Sequence, residues 1–244
     1  MSEAPASTLP APAGLSLIAR FWGILFSPGA TFVDVAARPK WFGMMALVIV
    51  VAVVCTGGFL MSKVGQEAWL DAAYQRADSQ GTPMPEQSAA FMEKFKPYVG
   101  LAAAVQFIVV GPLMTLALAG IFFAVFNAAL GGDATYRQIF TVVVHAGVPT
   151  VVQQLFVTPL NYFRGSMMSA TNLSVFLPML DESSFLSKFF GTIDLFLLWW
   201  VLVLAIGLGV LYRRKTGPIA ISLFVVYGII AGIIAWFTSG RAGA

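Results

Sequence analysis

Charge is what this 244-residue chain has least of. Only 10% of its residues are Asp, Glu, Lys or Arg, against roughly 25% in ordinary soluble domains, while 59% are hydrophobic. A soluble fold of this size would have to expose large apolar patches; a chain whose solvent is lipid need not. Cysteine occurs once, at Cys55, inside an apolar run. That excludes an internal disulfide and leaves a small hydrophobe as its simplest role. Histidine also occurs once, at His145, and one His with one Cys cannot supply the three or four ligands of a metal site unless carboxylates fill in. No HExxH, GxSxG or GxxxxGK[ST] pattern is present. Enzyme chemistry therefore finds little support, and no cofactor is expected. The formal charge of +3 comes from scattered Lys and Arg without a basic stripe, which argues against nucleic acid.

What the chain has is long apolar runs. From Ile193 to Tyr212, within a span expected at about 191–212, the chain is apolar except for Asp194 near its start, and the run ends abruptly in Arg213, Arg214 and Lys215. About 20 such residues cross a ~30 Å hydrocarbon core, and a basic cluster of this kind stays on the cytoplasmic side. Further runs predict spans at about 41–62, 98–130, 138–160 and 218–238, giving five in all. The 98–130 run is longer than one crossing needs and should kink at Gly111-Pro112. Gly120, Ala124 and Ala128 within it, and Gly228 with Gly232 in the last span, have the small-xxx-small spacing that lets helices approach closely.

The non-spanning parts divide simply. Residues 1–13 are rich in Pro, Ala and Ser, without the basic and apolar regions of a signal peptide, and read as a disordered tail. Residues 14–40 contain a 12-residue apolar stretch, Leu15 to Phe26, too short to span. With Arg20 and Trp22 it suits an amphipathic helix lying in the headgroup plane. Residues 64–97 form a polar loop read as a small helical hairpin broken at Gln80-Gly81-Thr82-Pro83, with a second arm from Glu86 to Phe95.

The third span is the most polar. Gln138, Thr141, His145, Pro149 and Gln153 fall within about 120° of one helical face, and Pro149 should displace the carbonyl of His145 and kink the helix. His145 could carry protons or be a neutral helix–helix hydrogen-bonding group. Asp194 could be an ion- or proton-responsive site or a carboxylate favoured by the helix dipole at an N-terminus. With the N-terminus inside, the inner and outer segments carry seven basic residues each. The inner ones sit in short turns tight against the spans, where topology is set, so N-inside and C-outside is favoured.

Three segments in succession resemble the Yip domain family, named for Ypt/Rab-interacting protein. They are FSPGATFVDVAARPKW (26–41), GGDATYRQIFTVVVHAGVP (131–149) and IDLFLLWWVLVLAIGLGVLYRRK (193–215), and they are most similar to bacterial members. The resemblance implies a five-span helical domain with a cytoplasmic N-terminus. Its eukaryotic relatives act in early secretory traffic and associate with Rab GTPases and with each other. Here the N-terminal tail is short, and Val110-Gly111-Pro112 lacks the acid of their Asp-Leu-aromatic-Gly-Pro motif, which counts against a Rab-type partner. The expectation is an all-α integral membrane protein of a bacterial cytoplasmic membrane. It would be a non-catalytic scaffold contacting the lipid bilayer and other membrane proteins or itself. The alternative is a small transporter or channel with a path along Gln138, Thr141, His145 and Gln153 and Asp194 near its mouth.

Overall fold

The computed structural model describes residues 14–79, 83–181 and 183–239. The expected 1–13 tail and the Gln80-Gly81-Thr82 part of the loop break lie outside them. Among the described residues the chain is helical, with no strand beyond one backbone bridge between Asn172 and Asp194. The helices are α1 (Leu17–Phe26), α2 (Pro28–Ala37), α3 (Phe42–Met61), α4 (Lys63–Ser79), α5 (Glu86–Ala129), α6 (Tyr136–Arg164), α7 (Phe185–Thr192), α8 (Leu195–Leu211) and α9 (Thr216–Ser239).

Four of these, α3, α5, α6 and α9, are long and apolar enough to cross a membrane. The helix of the expected fourth span is shorter than its apolar run. Asp194 takes the N-cap position and Ile193 is extended (φ −90°, ψ 108°), so α8 has 17 residues, or about 26 Å. A second difference is at α5. The expected hairpin arm from Glu86 and the 98–130 span are one continuous 44-residue helix. Pro97 falls in the first turn of a 3₁₀ segment, Lys96–Tyr98, where its missing N–H breaks no bond.

The two expected kinks are built differently from each other. Pro112 follows a π-helical turn, Gln106–Val110, and sits in the first turn of the α-helical stretch beyond it, so the helix continues. In α6 the α-helical hydrogen bonding stops at Ala146, pauses at Gly147 and resumes at Val148, with Pro149 in the new first turn. The break falls two residues after His145.

The sequence does not show how α1 and α2 pack. They form a helical hairpin packed against the bundle, with Ile24, Phe32 and Val35 fully buried. Gln138 on α6 donates to the carbonyl of Ala36. One turn further along both helices, the Phe32 ring and Val142 meet at Gly207 of α8. The partners move together, so α2 runs alongside α6 instead of across its end. The outward side of α1 is also apolar: Ile18, Trp22 and Phe26 are exposed, so the helix is not polar on its free face.

The main core joins Met44, Ile139, Val142, Leu204 and Leu208 with the hairpin residues. A smaller one joins Phe59, Leu60, Ala68 and Val99 under α4. There α3 and α5 touch: a Cβ on Gly100 would lie 3.0 Å from the Gly57 carbonyl and 2.8 Å from the Met61 nitrogen. Glu67 on α4 and Lys96 on α5 hold this end with a 2.6 Å ion pair, and that pair keeps the Lys96 ammonium protonated to higher pH than usual.

Candidate functional site

The polar residues gather at two ends of the bundle. At one end Asp194 is the N-cap of α8: its Oδ1 accepts from the backbone N–H of Phe196 (2.8 Å) and of Leu197 (3.3 Å). Gln153 of α6 donates to the same oxygen at 3.1 Å. Oδ2 accepts from the hydroxyls of Thr171 and, at 3.3 Å, Ser169. Backbone bonds run between the same segments, Leu173 N–H to Ile193 O and Leu195 N–H to Thr171 O. Tyr227 of α9 accepts from the Asp194 N–H and donates to Thr192 O at 2.8 Å. A carboxylate at an N-terminus with five donors converging on it has its lone pairs occupied by the protein. The arrangement stitches α6, α8, α9 and the 166–173 loop together.

At the other end a buried guanidinium does the equivalent work. The Arg20 side chain is 4% exposed and its Nη2 lies 2.8 Å from Asp34 Oδ2. Its Nε also donates to Asp34, and its two terminal nitrogens reach the carbonyls of Lys40 and Arg38. Arg38 closes the cluster from the other oxygen of Asp34 at 3.1 Å. Burial alone would raise the Asp34 pKa, but the Arg20 hydrogen bond, the Leu15 N–H and the two cations outweigh it and hold the carboxyl below its usual 3.8. Arg20 and Asp34 stand seven residues either side of Ser27, so an antiparallel hairpin turning at Ser27-Pro28-Gly29 brings them opposite. That symmetry is the signal by which the pair could have been found from sequence.

The expected polar face of α6 does not stay together. Gln138 is spent on a capping box with Thr135 and on the Ala36 carbonyl. The Thr141 hydroxyl is buried and donates back to Arg137 O. His145 is fully buried, its Nδ1–H donating to Thr141 O at 2.8 Å, and Nε2 has no partner among the described residues. Gln153 alone joins Asp194. Next to it Gln154 accepts from Thr56 of α3 at 2.6 Å, a bond between helices. Of the candidates, the structure brings together Gln153 with Asp194 and His145 with Thr141; the two pairs belong to different clusters. Among the described residues no group of three His, Cys, Asp or Glu could hold a metal.

The candidate packing residues face outward. A Cβ at Gly120, Gly228 or Gly232 would meet nothing within 4 Å, and Ala124 and Ala128 are exposed. Close approach within the chain uses other small residues: Gly57 with Gly100 and Ala104, Gly207, and Ala231 with Ala235 on the inner side of α9.

The sequence pattern of the Yip1 domain matches residues 22–238, nearly the whole described bundle from the second half of α1 onward. The chain belongs to the Yip1 domain family. This Yip1 protein is 25% identical over 221 residues to "Membrane protein YknW" of Bacillus subtilis (strain 168), covering 86% of this chain and 85% of the relative. No solved structure matches. It is a membrane protein with several apolar helices able to span a bilayer.

Proposed function

We propose that this Yip1 protein is a non-catalytic organiser of the bacterial cytoplasmic membrane, working through lateral contacts with copies of itself or with other membrane proteins. The observation that carries the reading is the outward placement of two small-residue stripes, Gly120/Ala124/Ala128 on α5 and Gly228/Gly232 on α9. Such stripes let backbones approach and gain dispersion contact in lipid, where no hydrophobic drive between helices exists. Gln138, Thr141, Gln153 and Asp194 are tied into the chain's own cap, back-bond and N-terminal stitch, and His145 is fully buried and bonded to its own helix through Nδ1, so no continuous polar path favours the transporter reading.

The topology belonging to this proposal has five crossings, α8 being the short one, with the α1–α2 hairpin entering from the cytoplasmic side. The tail (1–13), the pre-membrane segment (14–40) and the membrane domain (41–238) are its three parts. Arg20, Arg38, Lys40, Arg137 and Arg214 are linked at one end by contacts to one another and to the turns beside them, which supports N-inside and, with five crossings, C-outside. No nucleic acid, cofactor or Rab-type GTPase enters the proposal. In-membrane cross-linking with mass spectrometry on tagged protein tests it. Recovery of a self-pair or one reproducible membrane partner is expected; a protein without partners in native membranes overturns the organiser reading.

A further inference from the structure

Between α3 and α5 the described bundle is open on one side. The two helices touch near Gly57, Gly100 and Ala104 and diverge towards Trp41, leaving a groove of about 600 Å³ whose lining side chains are all apolar. Trp41 and Phe140 form one end, their rings edge to face with centroids 5.3 Å apart. Ala46, Pro112 and Leu116 line its sides, and Val50 lies at its far end. Nine residues of helix separate Trp41 from Val50, which is about 14 Å. That is close to half of a ~30 Å hydrocarbon core, so the groove has the depth of one leaflet.

Two cations stand at the Trp41 end. Lys40 immediately precedes Trp41 and is exposed. Arg137, one turn before Phe140, is exposed and uses only its Nε, on the carbonyl of Pro39 at 3.2 Å. Among the described residues no carboxylate pairs with either. We propose that this groove is a binding site for one anionic phospholipid. Its acyl chain lies between α3 and α5, and its phosphate is held by Lys40 and Arg137. Basic residues flanking an apolar cleft between spans recognise such headgroups. A helix from a second copy is the poorer occupant. Seated in this groove, a helix of a second copy in the same orientation would bring its basic turn against Lys40 and Arg137 themselves and meet repulsion that pairing through the stripes elsewhere on the bundle avoids. The site is independent of the small-residue stripes, so failure of the organiser reading leaves it standing.

Tryptophan quenching in reconstituted full-length protein tests this. Brominated phosphatidylglycerol and brominated phosphatidylcholine are titrated separately, and the Trp41 signal is taken as the difference from a Trp41→Phe variant. The expected result is a preference for phosphatidylglycerol at Trp41 of several-fold or more, since each cation near the surface contributes about five-fold. Lys40→Gln/Arg137→Gln should reduce the preference to near one while leaving non-selective quenching in place. Ala46→Phe, which fills the groove, should reduce quenching by both lipids. Equal quenching by the two lipids in the wild type, or a preference unchanged in the double variant, overturns the proposal.

Discussion

Replacing Arg20 by Met should cost about 3 kcal/mol, more than any surface charge in this chain. The guanidinium makes two contacts to Asp34 and one each to the carbonyls of Arg38 and Lys40, and its side chain is 4% exposed. Removing one partner of a buried pair costs roughly 3–5 kcal/mol because the other charge is left uncompensated. The lower end applies here, since Asp34 keeps Arg38 at 3.1 Å and is 15% exposed. Adding Asp34→Leu to Arg20→Met should therefore recover part of the loss, because an apolar pair of similar shape leaves no stranded charge. The assay is reversible unfolding in mixed dodecylmaltoside and SDS micelles, followed by tryptophan fluorescence. A cost under about 1 kcal/mol for the single variant, or a double variant as damaged as the sum of the two singles, would refute the reasoning. The pH dependence has a definite sign. A carboxyl whose folded pKa lies below 3.8 contributes stability that is complete above its unfolded value and is lost as pH falls through the lower folded value. The hairpin's contribution should be flat from pH 5 to 8 and fall below about pH 4.

Three other substitutions separate structural roles from alternatives. Asp194→Asn keeps an acceptor for the α8 cap and should cost under about 1 kcal/mol, whereas Asp194→Ala strands Gln153, Thr171 and the cap amides and should cost about 2–3 kcal/mol in the same unfolding assay. A proton or ion site would instead fail equally in both. Gly207→Leu should cost about 3 kcal/mol or more, since even a Cβ there lies 2.7 Å from Val142 and 2.9 Å from the Phe32 ring, both buried; unfolding measurements and new reactivity of a cysteine at the buried Thr31 report it. Arg213 holds a left-handed φ of 52° where α8 closes, with Arg213 N–H on Val210 O and Arg214 N–H on Gly209 O. Arg213→Gly should stabilise by about 1 kcal/mol, seen as a raised unfolding midpoint.

The helices were legible because lipid demands continuous apolar runs, and the C-terminal end of α8 was legible because Arg213-Arg214-Lys215 ends one; its N-terminal end, capped by Asp194, falls inside the expected span. Which face of each helix turns inward was not. In a soluble helix the polar side marks the outside, but in α9 the outward Gly228/Gly232 and the inward Ala231/Ala235 are equally apolar and equally spaced. Periodicity cannot choose between them. The packing of the α1–α2 hairpin was not legible for the same reason: Ile18, Trp22 and Phe26 on the exposed side are as apolar as the buried Ile24, and the buried Arg20 finds its partner fourteen residues away at Asp34. The polar residues of α6 shared a face in projection, yet the Gly147 break and local back-bonding divide them between two clusters.

Disulfide cross-linking in native membranes tests the organiser proposal most directly. Single cysteines are placed at Ala124, Gly228, Gly232 and Ala231 in a Cys55→Ser background, and oxidised under mild conditions. Dimers should form at one or more of the three outward positions and not at the inward Ala231. No dimer at any outward position, together with the absence of a cross-linked partner, would contradict lateral assembly through these stripes.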